Sequence, residues 1–496
     1  MNRRDFLRTS IGASLALSLP TARAAGAAAA DGPNLLVIQT DEHNFRTLGC
    51  YRRTLSPEQA FVWGPESFVE TPHIDWLAER GALCTSFYAT TPVCSPSRAA
   101  FVSGRYPQNT PVVSNNIPMD DDVATFAEIL RRRGYATGYA GKWHLDGTGK
   151  PQWAPQRTFG FDDNRYMFNR GHWKQLEDTP TGPRVKARNA KGEPSYDVKG
   201  ADATSFTTDF LADRTVEFIQ AHRGRPFCYM VSFPDPHGPD SVRAPYDTMY
   251  AERGGNAPPT FDKPTADLPS WGKPDGRFLN MSKYYGMVKC IDDNVGKILN
   301  ALRDADLMDE TIVVFTADHG DLRGEHHRQN KGVPYEASAK VPFIVYYPDK
   351  VEPGTIVREA LSCVDFLPTV VSLMGLETAG HEEGRDASAL LATGQVPGDW
   401  KDVAFIRGTG KAPGPTDMNW LAAVTKRYKL VYAPKDEPWL FDLQKDPDEL
   451  INLYHDPACR DIVRFLAAEL LEYGRAHGDP RVDHPHISAQ LKEAVL

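Results

Sequence analysis

Residues 34–42 read NLLVIQTDE. Four apolar side chains, Leu35 to Ile38, stand in an unbroken run, and two carboxylates close it. A strand with one wet face alternates polar and apolar positions. A continuous run of Leu, Val and Ile instead suits a strand covered on both faces, as in a parallel sheet between helices. The pattern returns in PFCYMVSF (226–233), TIVVFTAD (311–318) and VPFIVYYP (341–348), and strand character also marks ALCTSFYAT (82–90) and YATGYAG (135–141).

Helical signals lie between these runs. TPHIDWLAERG (71–81) opens on Thr71-Pro72 and closes on Gly81. Residues 122–133 put Val123, Phe126, Ala127 and Leu130 on one face, with Arg131 to Arg133 at the negative end and Gly134 as the stop. Val288, Ile291, Val295, Ile298 and Leu302 mark a longer amphipathic helix. Strand, helix, strand in this order predicts an α/β fold, a large and mostly parallel sheet sandwiched by helices. After residue 395 the texture changes. WLAAVTKRYKLVYA and PWLFDL read as short antiparallel strands, and Ile462, Phe465, Leu466, Glu469, Leu470 and Tyr473 as one helix face. The chain thus divides into an export segment (1–30), a large α/β domain (31–395) and a smaller α+β subdomain (396–496).

The opening MNRRDFLRTS is basic, IGASLALSL is too short to span a bilayer, and ARA at 22–24 is a small-x-small cleavage site. Arg3-Arg4 followed by Asp5-Phe6-Leu7 resembles a twin-arginine signal, with an ordinary secretory signal as the alternative. Either predicts a periplasmic or secreted bacterial protein. The first makes the twin-arginine export machinery a partner and has the protein acquire any metal or modification before crossing. No later run predicts an integral membrane protein. The formal net charge is −9 and becomes more negative without Arg3, Arg4, Arg8, Arg23 and Asp5, which argues against a nucleic-acid partner. The seven cysteines show no CxxC pair and no dense spacing, so neither a zinc finger nor a disulfide-stapled scaffold is indicated.

Ligands of open α/β sheets bind outside the carboxyl ends of the strands. Here those ends carry Asp41-Glu42, Cys94 with Arg98, Lys142 with His144, His237, and Asp318-His319, with Lys331 shortly after. Taken singly, an Asp-Glu pair is often a helix cap, and a cysteine is most often a buried small hydrophobe. Two acidic pairs on one rim need a cation between them. Oxygen donors suit calcium, which takes roughly six to eight ligands, while an imidazole widens the choice of metal. Arg98, Lys142, His144 and His237 would ring Cys94 with cations, fit for a sulfate or phosphate. Cys94 itself is open to four readings: buried hydrophobe, disulfide partner, thiolate at a helix N-terminus, or precursor of a modified residue.

CSPSRAAFVSGR (94–105) resembles the signature of the formylglycine-dependent (type I) sulfatases, in the alkaline phosphatase-like superfamily. The family's other marks also stand in its order along the chain: the apolar strand into acidic residues at 34–42, TPHIDWLAERG, GYATGYAGKWHL, PHGP, TIVVFTADHGD, KGVPYE and KLVYA…WLFDLQKDPDELINL, so the resemblance spans about 33–455. It implies that a formylglycine-generating maturation enzyme oxidises Cys94 to formylglycine, whose hydrate attacks a sulfate ester. It implies that His237, with Lys331, binds the sulfate and protonates the leaving oxygen, that His144 removes the proton that lets sulfate depart, and that Arg98 and Lys142 orient the nucleophile. Asp41, Glu42, Asp318 and His319, together with residue 94 (Cys94 after modification), would hold Ca2+. The family usually has aspartate where Glu42 stands, and asparagine or histidine where His319 stands.

The expected substrate is a sulfated carbohydrate. FGFDDNRYMFNRGHWK (159–174) gathers Arg165, Arg170, His172, Trp173 and Lys174, a ring to stack on a sugar and cations to read further anionic groups; a loop pinned by its own aromatics is the alternative. A phosphonate monoester or phosphodiester hydrolase with the same nucleophile, and a non-catalytic polyanion-binding relative, are the competing functions.

Overall fold

The computed structural model describes residues 32–263, 268–378, 380–409 and 419–496; the export-signal reading of residues 1–30 lies outside them. An eight-stranded sheet forms the centre. Its strands are β1 (Asn34–Asp41), β2 (Ala82–Cys84), β3 (Ala136–Lys142), β4 (Asp163–Phe168), β5 (Phe227–Pro236), β6 (Thr311–Ala317), β7 (Phe343–Tyr346) and β8 (Thr355–Val357). The order across the sheet is β8-β2-β7-β6-β1-β5-β3-β4. All neighbours are parallel except β7, which is antiparallel to both β2 and β6. The segment between β6 and β7 begins and ends at the carboxyl rim. Its only α-helix is the four-residue Glu336–Ala339, too short for a crossover, so the chain must return antiparallel.

Leu35, Leu36, Val37 and Ile38 of β1 are fully buried, and the pleat sends them alternately to two cores. Leu35 and Val37 meet Phe101, Phe126 and Phe366 on one face. Leu36 and Ile38 meet Leu77, Phe218, Ile291 and Ile298 on the other. Each such side chain contributes about 1.5–3 kcal/mol relative to exposure, which is why a central strand carries no polar alternation. The covering helices include α1 (Pro72–Arg80), α2 (Cys94–Ser103), α3 (Phe126–Arg132), α4 (Thr207–His222) and α5 (Ser282–Asp304).

Three expectations change in detail. The helix predicted over 122–133 starts only at Phe126, because Thr125 and Glu128 form a capping box there. ALCTSFYAT is not one strand: Phe87–Tyr88 leaves the main sheet and pairs with Leu361–Ser362. In the C-terminal helix α6 (Arg460–His477), Phe465 is 41% exposed and the buried row is Val463, Leu466, Ala467, Leu470 and Tyr473. Phe465 lies one residue off the row that meets the sheet.

Near the C-terminus, β9 (Ala404–Arg407), β10 (Leu421–Val424), β11 (Tyr428–Tyr432) and β12 (Trp439–Asp442) form an antiparallel sheet. One face joins α6 through Leu421, Ala423 and Leu430. The other packs on Trp271, Val333 and Tyr335, so this sheet supports the segment that carries Lys331. No helix among the described residues is long and apolar enough to cross a membrane.

Candidate functional site

Strand register brings the polar residues together. Thr40 of β1 stands opposite Ala317 of β6, so the next residues, Asp41 and Asp318, emerge side by side. Asp41 stands opposite Pro236 of β5, which puts Glu42 next to His237. Gly141 of β3 stands opposite Ser232. Its φ is +107°, and a Cβ there would come within 2.0 Å of the Ser232 carbonyl oxygen, so only glycine lets β3 approach and deliver Lys142. Glu42 and His144 hold φ values of +60° and +63°, a left-handed conformation disfavoured for both and concentrated at functional sites.

Cys94 is the first residue of buried α2, where the positive end of the helix favours negative charge. Its Sγ lies 3.2 Å from His319 Nε2, 3.6 Å from Lys142 Nζ and 3.9 Å from Asp41 Oδ1. Burial opposes ionisation of the thiol, but Lys142, Lys331 and His319 outweigh it and hold Cys94 well below the usual thiol range. Cys94 reaches the rim through an irregular segment and α2, not at the end of a main-sheet strand. One helical turn on, Arg98 Nε donates to Asp318 Oδ2 at 2.9 Å, and its NH1 donates to the Lys142 carbonyl and Ser232 Oγ at 2.7 Å each. Lys142 Nζ also binds Asp41 Oδ2.

On the other side, Glu42 Oε2 lies 2.9 Å from His237 Nε2, and Glu42 Oε1 lies 2.9 Å from Lys331 Nζ. His237 Nε2 and Lys331 Nζ are themselves 2.9 Å apart. Burial lowers the His237 pKa, yet the Glu42 carboxylate holds it above the ordinary range. His144 behaves oppositely: burial pushes it down, only partly offset by Cys94. Its Nε2 lies 3.2 Å from Asn116 Oδ1, an acceptor, and the ring also interacts with the Cys94 side chain. With Nε2 donating, Nδ1 keeps the lone pair and can take a proton. The two imidazoles are therefore shifted in opposite directions.

Ligand atoms of Asp41, Cys94, Asp318 and His319 lie within 4.8 Å of one another. Two carboxylates with an imidazole fit a hard divalent ion. Glu42 lies outside this group, with His237 and Lys331 engaging both its oxygens.

Of the five residues expected to read the sugar, only His172 reaches the site. Its Nε2 lies 2.8 Å from Lys142 Nζ and 3.8 Å from Asp41 Oδ2. Arg165 pairs with Asp178, and Arg170 donates to the Thr148 carbonyl. Trp173 is 3% exposed, against Tyr196, and leaves no open face for a sugar. Lys174 is fully buried and paired with Asp235. Each of these four is held by a partner outside the stretch: Asp178, the Thr148 carbonyl, Tyr196 and Asp235. Sequence reasoning also missed Asn116, Ser232 and Tyr284, whose hydroxyl donates to the Glu42 carbonyl. They lie on a loop, a strand and a helix without a motif to mark them.

Comparison with known proteins matches residues 33–376 to the sulfatase family model and residues 324–476 to the C-terminal model of N-sulphoglucosamine sulphohydrolase. An ulvan-active sulfatase of Formosa agariphila is 27% identical, over 88% of this chain and 80% of its own. An N-acetylglucosamine-6-O-sulfatase of Bacteroides thetaiotaomicron is 24% identical, over 85% and 82%. The crystal structure of a phosphonate monoester hydrolase from Agrobacterium radiobacter shares the fold, with a TM-score of 0.69 and 24% identity over 91% of this chain and 97% of the other.

Proposed function

Because the chain belongs to the sulfatase family and is thereby a sulfuric ester hydrolase, we propose that it removes an O-sulfate from a carbohydrate, with residue 94 as formylglycine and Ca2+ as its metal. The carbohydrate follows from what the similar proteins are named for, ulvan and N-acetylglucosamine. The observation that carries the reaction is the setting of Cys94: a buried helix start, two carboxylates, and Lys142, His319 and Arg98 around it.

Asp41, Asp318 and His319 would hold the ion. When bound there it supplies a Lewis acid that polarises the nucleophile and the sulfate, and formylglycine supplies a hydrated aldehyde as that nucleophile. Arg98 is locked by four partners and fixes the two carboxylates and α2. Lys142 and Lys331 offset negative charge gathering on the sulfate oxygens. His237, held protonated by Glu42, donates to the departing alcohol oxygen. His144, kept neutral by burial, accepts at Nδ1 the proton whose removal lets sulfate leave. In this reading the protein is exported to the periplasm or beyond through the twin-arginine machinery, and a maturation enzyme modifies Cys94.

Tandem mass spectrometry of the tryptic peptide GALCTSFYATTPVCSPSR, from protein purified from its native host, tests the reading. An aldehyde is expected at Cys94, with Cys84 unmodified as an internal control. An unmodified Cys94 thiol in native material would overturn it. Parallel assays with aryl sulfate and aryl phosphonate esters decide the reaction class, and dominant phosphonate turnover would assign the site to that chemistry instead.

A further inference from the structure

Glu42 and Gly238, the residue after His237, also line a cleft of about 810 Å3, inside the roughly 300–1,000 Å3 range of small-molecule sites. Glu42 forms its inner end, and Asp240, Asp275, Arg277 and Arg323 stand on its walls. The cleft thus begins at the carboxylate that binds the two groups facing the leaving oxygen.

Asp240 is held from behind. Arg323 NH2 donates to its Oδ2 at 2.7 Å and NH1 to its Oδ1 at 3.3 Å. The arginine side chain is 3% exposed and that of Asp240 is 20% exposed, so the cleft meets the carboxylate with the guanidinium behind it. Arg323 is itself fixed, 4.4 Å over the Tyr284 ring, and Tyr284 bonds to the Glu42 carbonyl. A carboxylate gripped by one arginine still has lone pairs to offer. It therefore presents two immobile acceptors at a set distance from the ester, an arrangement suited to hydroxyl donors on adjacent carbons. A second sulfate in the same place would face the Asp240 carboxylate. Arg277 is exposed, where solvent and salt weaken its pull on an anion.

We propose, building on the sulfatase reading, that this cleft is the subsite for the sugar unit bearing the scissile sulfate. Asp240, oriented by Arg323, accepts hydrogen bonds from that unit's free hydroxyls, and the unit presents no further sulfate to this wall.

The test uses the full protein from its native host with 4-nitrophenyl sulfate and a panel of monosulfated and disulfated glucoses and galactoses. At least one monosulfated hexose should be cleaved, with kcat/KM at least tenfold above that of its disulfated counterparts. Asp240→Asn should lower the ratio of kcat/KM for that hexose to kcat/KM for the aryl sulfate at least tenfold. An unchanged ratio in a variant with native melting behaviour, or equal turnover of disulfated hexoses, overturns the subsite. If Asp240→Asn does not fold, the mono- against disulfated comparison on the unaltered protein decides. Aryl sulfate turnover without any hexose turnover sinks the subsite alone, whereas no aryl sulfate turnover sinks the sulfatase reading and the subsite with it.

Discussion

The imidazoles of His172 and His237 lie face to face, with ring centroids 3.5 Å apart and planes within 10°. The pKa values of the two rings are pushed in opposite directions. Burial, with Lys142 and His237 adding to it, holds His172 well below the usual histidine range, while Glu42 holds His237 above it. The ring that stays neutral more readily thus backs the one that protonates more readily. His172→Ala is expected to lower kcat for aryl sulfate about ten- to a hundredfold, the scale of a roughly 1 Å misplacement of a reacting group. His172→Phe keeps the stack and should recover most of the loss. Equal losses in both variants would shift the role of His172 to its contact with Lys142.

Glu42 pairs with both His237 and Lys331. Glu42→Gln should therefore retain bound metal within about twofold by elemental analysis and yet lose on the order of a hundredfold in kcat, the scale of general acid catalysis. Asp318→Asn should lose the metal. Metal loss in the Glu42 variant as well would return Glu42 to the ligand set.

Lys429 of β11 is fully buried between Glu336, at 2.7 Å, and Glu449, at 2.8 Å, and joins the C-terminal sheet to the segment that follows Lys331. Lys429→Met leaves Glu449 buried without that cation. Breaking a buried pair from one side costs about 3–5 kcal/mol, a loss that denaturant titration will resolve. A change below about 1 kcal/mol would show that the triad is not needed at this joint.

Burial pushes His43 and His326 each down to about 3, so both stay neutral in the folded protein at pH values where an unfolded histidine is charged. The unfolded chain then binds more protons between about pH 6.5 and 3, and stability falls as pH drops through that window. Each ring contributes a slope approaching about 1.4 kcal/mol per pH unit. His326→Asn, which tolerates the φ of +55°, should lower the slope by about one proton in urea titrations from pH 7 to 5. An unaltered slope would mean that His326 already titrates normally.

Much of the site was legible because it lies where strands stop. Asp41, Lys142, His237 and Asp318 each follow an apolar run, and parallel pairing of adjacent strands was enough to put them on one rim. Cys94 was legible from its motif and not from a main-sheet strand, since between Cys84 and Cys94 only Phe87–Tyr88 is strand, and it pairs outside the main sheet. The inserted stretch 159–174 was misread for a physical reason. Arg, His, Trp and Lys are the side chains that bind sugars and anions, but they are equally the ones that pin a loop, and Trp173 and Lys174 do the latter with Tyr196 and Asp235.

Sequence alone determined the buried parallel strands, the residues at their carboxyl ends and the family signature around Cys94, because hydrophobic runs and motif spacing are local properties of the chain. The direction of β7, the turn of Glu42 towards His237 and Lys331, the stack of His172 on His237 and the cleft walled by Asp240 and Arg323 were decided only in three dimensions. Each depends on contacts between residues far apart in the chain, as between Asp240 and Arg323 or Glu42 and Lys331, whose partners are chosen by packing and charge after the strands have set their register.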